Sequence, residues 1–178
     1  MSGNAWNVRS LLVVFSLLMA VPVWADGFRN PPEGQAALGR IGGKIAQIDD
    51  ASAVSHNPAN LADLEKNSFL ASLTLGYSTK EFDGPVGPDA ESKDPWGYLP
   101  NVYATWTVEP KSIVAGVGLT TPYGRSTTYE KDSVFHCTAP YFSELRGINL
   151  NPSVGIRVNE KFLVGFGVDI LYSDLDLR

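Results

Sequence analysis

Gly147-Ile148-Asn149-Leu150-Asn151-Pro152-Ser153-Val154-Gly155-Ile156-Arg157-Val158 is the stretch whose reading decides the fold. Its even positions are Ile148, Leu150, Pro152, Val154, Ile156 and Val158. Its odd positions are Gly147, Asn149, Asn151, Ser153, Gly155 and Arg157. Successive side chains of a strand point to opposite faces, so one face here is wholly apolar and the other polar. A strand of about ten residues with this pattern suits the wall of a membrane barrel, with lipid outside and water inside. Pro152 has no ladder donor, and the reading places a bulge or local kink there.

The same alternation recurs on both sides of this stretch. Phe69, Ala71, Leu73, Leu75 and Tyr77 share one face against Ser68, Leu70, Ser72, Thr74 and Gly76. Val102, Ala104, Trp106 and Val108 oppose Asn101, Tyr103, Thr105 and Thr107, and Ile113, Ala115, Val117 and Leu119 oppose Val114, Gly116, Gly118 and Thr120. After the opening stretch, Phe162, Val164, Phe166, Val168, Ile170 and Tyr172 oppose Leu163, Gly165, Gly167, Asp169 and Leu171. These segments predict five half-buried antiparallel strands.

The connections also alternate. Long polar loops are expected over Ser78 to Leu99 and Thr121 to Arg146, with tight turns at Glu109-Pro110-Lys111 and Asn159-Glu160-Lys161. Long connections at one end and short ones at the other are the outer-membrane arrangement. Phe69 and Tyr77 bracket the apolar face of the first strand, and Phe162 and Tyr172 that of the fifth. Eight to ten residues at about 3.3 Å each, tilted by about 40°, span roughly 20–25 Å, the spacing of aromatic girdles.

Ahead of the strands lie two further regions. Arg9, the apolar run Leu11 to Val23 and the small Ala25 read as a secretory signal over residues 1–25, cleaved after Ala25. The run is short for a membrane-spanning helix and is broken by Pro22. Residues 26–66 show little alternation and many turn formers, including Gly42-Gly43 and Asn57-Pro58. Short helical pieces are expected near Gln35 to Arg40 and Pro58 to Leu64, with Asn57 as N-cap.

Composition removes several function classes. Acidic residues outnumber basic ones 19 to 14, which argues against a nucleic-acid partner. The single cysteine, Cys137, allows no intrachain disulfide and no cysteine-based zinc site. No Gly-x-Ser-x-Gly elbow is present, His56 and His136 stand apart, and the reading is a non-enzyme without metal or cofactor. Asp49-Asp50 lacks the further oxygens of a calcium site, and hydrogen bonding is the expected role. Gly116-Val117-Gly118 and Gly165-Phe166-Gly167 lie inside strands, where they relieve crowding on the inner wall or allow bends.

The segment before the strands carries a recognisable set of motifs. Gly27-Phe28, Leu38-Gly39-Arg40, Asp49-Asp50-Ala51, Val54-Ser55-His56-Asn57-Pro58-Ala59 and the later Tyr123-Gly124 resemble the FadL family of outer-membrane transporters. That family includes the long-chain fatty-acid channel and the TodX-type hydrocarbon channels. His56 stands where an Arg is frequent, and the spacing from Arg40 to Asp49 is one residue shorter than the pattern.

The resemblance implies an all-β fold, a transmembrane antiparallel barrel of about fourteen strands plugged by an N-terminal hatch. About five strands are present here, over residues 67–178, with the hatch at 26–66. Five strands with open edges cannot close a barrel in lipid, so the chain is expected to be the front of a longer protein, monomeric when complete. The hatch motif falls on Asn57, Pro58, Ala59, Leu38, Gly39, Arg40, Asp49 and Asp50, preceded by Gly27 and Phe28. A kink in the third strand, with a lateral opening, falls near Pro122, Tyr123 and Gly124.

The alternation itself turns Leu70, Tyr103, Val114, Leu163 and Leu171 toward the lumen, with Arg157 and Asp169 as its few charges. Such a lining suits an apolar solute better than an ion. The expected function is passive uptake of fatty acids or other hydrophobic compounds across the Gram-negative outer membrane, gated by the hatch. Two alternatives are an exported soluble β-sandwich or lipocalin-like binding protein, and a structural barrel shared by several chains.

Overall fold

The computed structural model describes residues 29–31, 33–40, 46–84, 89–136 and 139–178. The leader with its cleavage site, Gly27, Phe28, Gly42-Gly43 and Cys137 lie outside the described residues. The elements run α1 (Gln35–Gly39), α2 (Ala53–His56), a 3-10 turn (Pro58–Asp63), β1 (Ser68–Tyr77), β2 (Glu81–Phe82) and β3 (Ala90–Glu91). They continue with β4 (Trp96–Glu109), β5 (Ile113–Thr128), β6 (Phe142–Asn159), β7 (Phe162–Gly167) and β8 (Ile170–Leu177). All main strands form one antiparallel sheet in the order β1-β4-β5-β6-β7, with β8 also on β6, while β2 and β3 make a small separate hairpin.

The sheet is inside-out relative to a soluble protein. Along β6 the polar positions Asn149, Asn151 and Ser153 are buried, while Ile148, Leu150 and Ile156 remain exposed. Phe69, Phe166 and Tyr172 on the same outer face are 70%, 67% and 68% exposed. Burial of such a surface is favourable only if something apolar surrounds it, and a bilayer supplies that. A soluble sandwich would turn these side chains inward. At the end of the apolar band near the long loops, Tyr77 and Trp96 meet edge to face with ring centroids 5.0 Å apart.

The tight turns have local causes. Pro110 fixes one φ, Lys111 takes a left-handed φ of 61°, and Ser112 N–H donates to Glu109 O at 3.1 Å. Register shifts beside both turns, at Thr107/Glu109 and at Arg157/Asn159, absorb the extra residue.

Three expectations need correction. Pro152 causes no bulge: its pairing with Val117 sits in an unbroken run of register from Ile156 to Asn149. Its cost appears on the other edge of β6, where Pro152 O accepts from Val168 N at 3.0 Å but no N–H exists to return. The ladder is interrupted there, so β7 ends at Gly167 and β8 begins at Ile170, although the register is the same on both sides of the gap. The loops are also shorter than the alternation suggests. β4 begins at Trp96, and the β5–β6 pairing reaches Thr128 and Phe142. Backbone pairing needs no apolar face beyond the lipid band, and Ser/Thr-rich sequence such as Ser126-Thr127-Thr128 sustains it. Finally, a helix was not expected at Ala53–His56, where one turn forms.

Val154 lies on the outer face near the middle of the apolar stretch Ile148 to Val158 of β6, so Val154→Arg is expected to cost about 2–4 kcal/mol of folding stability in lipid. Thr74→Lys, on the opposite face, is expected to stay within about 0.5 kcal/mol. Urea titrations in lipid vesicles, followed by heat-modifiable gel mobility, check the contrast.

Candidate functional site

One face of the sheet carries the N-terminal segment. The 3-10 turn packs on β6 and β7, and α2 on β5 and β6. Ile48, Ala51, Ala53, Val54 and Leu61 of the segment form a buried cluster with Tyr103 and Val114 of the wall, flanked by Leu64 and Leu70. The register aligns Leu70 with Tyr103, Tyr103 with Gly118, and Gly118 with Asn151 in one row. A second row aligns Thr105, Gly116, Ser153 and Gly167.

Polar contacts stitch the segment to the wall. Ser153 Oγ lies 3.1 Å from Val54 O and 2.8 Å from Asn151 Oδ1, and it donates its one proton within this pair. Arg157 donates to Ala62 O at 2.9 Å and to Asp63 Oδ1 at 2.6 Å. Ser55 Oγ donates to the buried Tyr103 hydroxyl at 3.3 Å. Farther along the wall, Asp169 Oδ1 accepts from Asn149 and Asn151 amides at 2.6 and 2.7 Å. The two lumen charges named above are therefore both engaged in hydrogen bonds.

Within the segment, Asp50 Oδ1 accepts from Ser52 N–H at 2.8 Å and from Ser52 Oγ at 2.5 Å, closing the turn before α2. Asp49 and Arg40 make a long, exposed ion pair at 3.9 Å. His56 Nε2 meets Glu33 O at 2.6 Å. Asn57 stands at the N-cap of the 3-10 turn with Pro58 as its first residue, and the Asn57 side chain makes no cap bond.

The middle of β5 is irregular. Thr120 pairs with Asn149, but Tyr123 already pairs with Gly147, so β5 carries one extra residue at Thr121-Pro122. The carbonyls turned out of the ladder are taken up by Asn30, whose N–H donates to Pro122 O at 2.8 Å and whose amide donates to Thr121 O at 2.9 Å. On the other side, Thr121 N–H donates to Asn101 Oδ1 at 3.1 Å.

This bulge borders a cleft of about 890 Å³, open toward the long loops and lined by Arg29, Leu38, Lys80, Leu99, Tyr123 and Arg125 among others. Lys80 Nζ donates to Ser126 O at 3.1 Å and also meets Thr127 Oγ1. Partial burial, with Arg125 nearby, holds its ammonium below the ordinary lysine range.

The positions singled out from sequence are thus distributed as follows. Tyr103 and Val114 are buried under the N-terminal segment, Leu70 and Leu163 are half-buried on the same face, and Leu171 is 49% exposed. Leu38 and Gly124 line the cleft, Pro122 is buried at the bulge, and Gly39 ends α1. Asn30 and Ser153 were not singled out, and Ser55 stood only as a member of the Val54-to-Ala59 motif. Ser153 had a signal, its place on the polar face of the opening stretch, whereas Asn30 had none.

With this geometry, comparison with known proteins is decisive. The family model described as "Outer membrane protein transport protein (OMPP1/FadL/TodX)" matches residues 16–178. The chain belongs to this family. It is similar to a long-chain fatty acid transport protein of Salmonella typhi, 29% identical over 97% of this chain and 40% of the relative. It is also similar to outer membrane protein P1 of Haemophilus influenzae, 28% identical over 93% of this chain and 40% of the relative. Among solved structures, a crystal structure of a Pseudomonas aeruginosa FadL homologue superposes with TM-score 0.61. That match is 23% identical and covers 83% of this chain and 38% of the homologue, and it shows the fold. The chain spans about 40% of the length of the curated relatives. As a member of this FadL-type family, it is an outer-membrane protein whose sheet is part of a β-barrel wall.

Arg157→Ala removes a charge-assisted pair of bonds to residues 62 and 63, half screened by solvent at Asp63. It is expected to loosen the N-terminal segment by about 1–2 kcal/mol. Faster limited proteolysis of residues 46–66, with the strands still resistant, checks it.

Proposed function

We propose that the chain contributes the hatch and front wall of a channel for passive uptake of long-chain fatty acids or other hydrophobic compounds. In this reading residues 26–66 gate the channel, and cargo leaves sideways near the β5 bulge. The observation that carries it is the pair of Asn30 bonds to Thr121 O and Pro122 O. They join the N-terminal segment to the one place among the described wall residues where mid-strand pairing slips.

The cleft supports the cargo class. Leu38, Leu99 and Leu145 offer apolar surface, and Arg29, Lys80, Arg125 and Arg146 outnumber Asp94 and Glu144. An amphiphile with an alkyl chain and one carboxylate matches this combination. An apolar ligand partitions in by the hydrophobic effect, and it opens the path only through tighter contact with the conformer in which the segment has moved. Nothing in this scheme requires catalysis, a metal or a cofactor, and the relatives named above are transport and outer-membrane proteins.

Two substitutions test the reading in the natural full-length protein. Asn57→Ala with Pro58→Ala is expected to change fatty-acid uptake by cells while barrel assembly persists; wild-type uptake would show that the motif does not gate. Asn30→Ala, which removes one hydrogen bond worth about 1 kcal/mol, is expected to raise the basal uptake rate about fivefold. Equal rates in Asn30→Ala and wild type would sink the proposed exit at the bulge.

A further inference from the structure

At two wall glycines the backbone of the N-terminal segment occupies the space a side chain would fill. A Cβ built on Gly155 would lie 2.6 Å from Pro58 O, 2.8 Å from Ala62 N and 2.8 Å from Leu61 Cβ. One built on Gly165 would overlap the Pro58–Ala59 peptide and lie 2.7 Å from Ala59 Cα. Gly155 and Gly165 are direct partners across β6 and β7, so the two absent side chains leave one continuous gap. One strand over, a Cβ on Gly116 would lie 2.6 Å from Val54 Cγ2. Gly76, on β1, differs: a Cβ there meets nothing within 4 Å.

We propose that Gly155 and Gly165, with Gly116 beside them, are positioning residues that form a backbone-width seat for the Asn57-Pro58-Ala59 turn and so set the hatch's resting position. The inference rests on the hatch reading and deepens it. A glycine inside a strand weakens the strand relative to alanine, so two of them under one turn, with a third under the neighbouring Val54, need a local reason. The contacts supply it. At Gly155 and Gly165 the obstacle is backbone and cannot rotate away. At Gly116 the only segment atom in the way is a valine methyl, which a smaller residue would remove, while Thr105 Cγ2 and Ala104 O of the wall itself lie at 3.1 and 3.3 Å. The contact of Ser153 Oγ with Val54 O and the hydrogen bond from Arg157 to Ala62 O flank the seat and keep the turn facing it.

The test follows the hatch position directly, independent of transport. In the full natural protein, Cys137→Ser, with every cysteine beyond residue 178 likewise changed to Ser, removes competing thiols, and Ala62→Cys places a reporter at the seat, where Ala62 is 5% exposed. Maleimide labelling is then measured in outer-membrane vesicles, with gel mobility confirming a folded barrel. Gly165→Ala and Gly155→Ala are expected to label at least about tenfold faster, and Gly76→Ala at the parent rate. A folded Gly165→Ala barrel that labels at the parent rate overturns the proposal.

If Gly165→Ala does not fold, the Gly116 pair decides. Gly116→Ala is expected to label faster than its parent, and Gly116→Ala with Val54→Ala at the same rate as Val54→Ala alone. An additive increase in the double variant overturns the seat. Loss of uptake in any variant bears on the channel reading only, because labelling reports where the turn sits whether or not cargo moves.

Discussion

Hydrocarbon offers no hydrogen-bond partner, and most of this structure follows from that one constraint. Each amide and carbonyl of a lipid-facing strand has to be matched within the sheet. The ladder therefore runs with unbroken register from Ile113 to Thr120 against β6. Irregular pairing is placed where other donors or acceptors exist. Two register shifts sit beside turns, and the third, at Thr120/Tyr123, is supplied with partners by Asn30 and Asn101. The alternation of side chains is the second consequence, since a wall with lipid outside has to hold its polar residues within.

Filling the inner side then raises a packing problem. An irregular segment has many backbone groups that need partners, and it must approach a pleated wall closely enough to exclude water. Two devices meet this need here. Ser153 and Arg157 reach out to segment carbonyls, while Gly116, Gly155 and Gly165 retreat to let the segment's chain come down onto the sheet. Among the described residues the apolar cluster around Val54, Leu61, Tyr103 and Val114 is small. Attachment by a small cluster and a few hydrogen bonds is weaker than a full domain core, which a segment proposed to move requires.

How much was legible depended on the range of the interaction involved. The strand faces were readable from a period of two, and the short turns from Pro110 and from Asn159-Glu160-Lys161. Strand lengths were misjudged because Arg125-Ser126-Thr127-Thr128 carries no apolar face, yet pairs with residues 142–145 as regularly as the lipid-facing part. Pro152 was overread as a bulge. Its missing N–H faces the β7–β8 side, where a gap in the ladder costs less than a shift of every later residue to the wrong face. At the candidate site, Asn57-Pro58 stood out as a motif, but its neighbours on the wall did not.

The sequence by itself determined which side chains of each strand share a face, the order of hairpins, the side with long loops, and the family. Those properties live in neighbours two residues apart or in contiguous motifs, so a linear reading reaches them. Only the tertiary structure decided that Tyr103 is buried while Leu171 is open, that the bulge lies at Thr121-Pro122, and that Asn30 holds it. It also decided which glycines lie under the Asn57-Pro58-Ala59 turn. These are contacts between distant parts of the chain, 91 residues apart for Asn30 and Thr121 and 99 for Ser153 and Val54. Their geometry depends on how an irregular segment lies across a sheet, and no local periodicity encodes that.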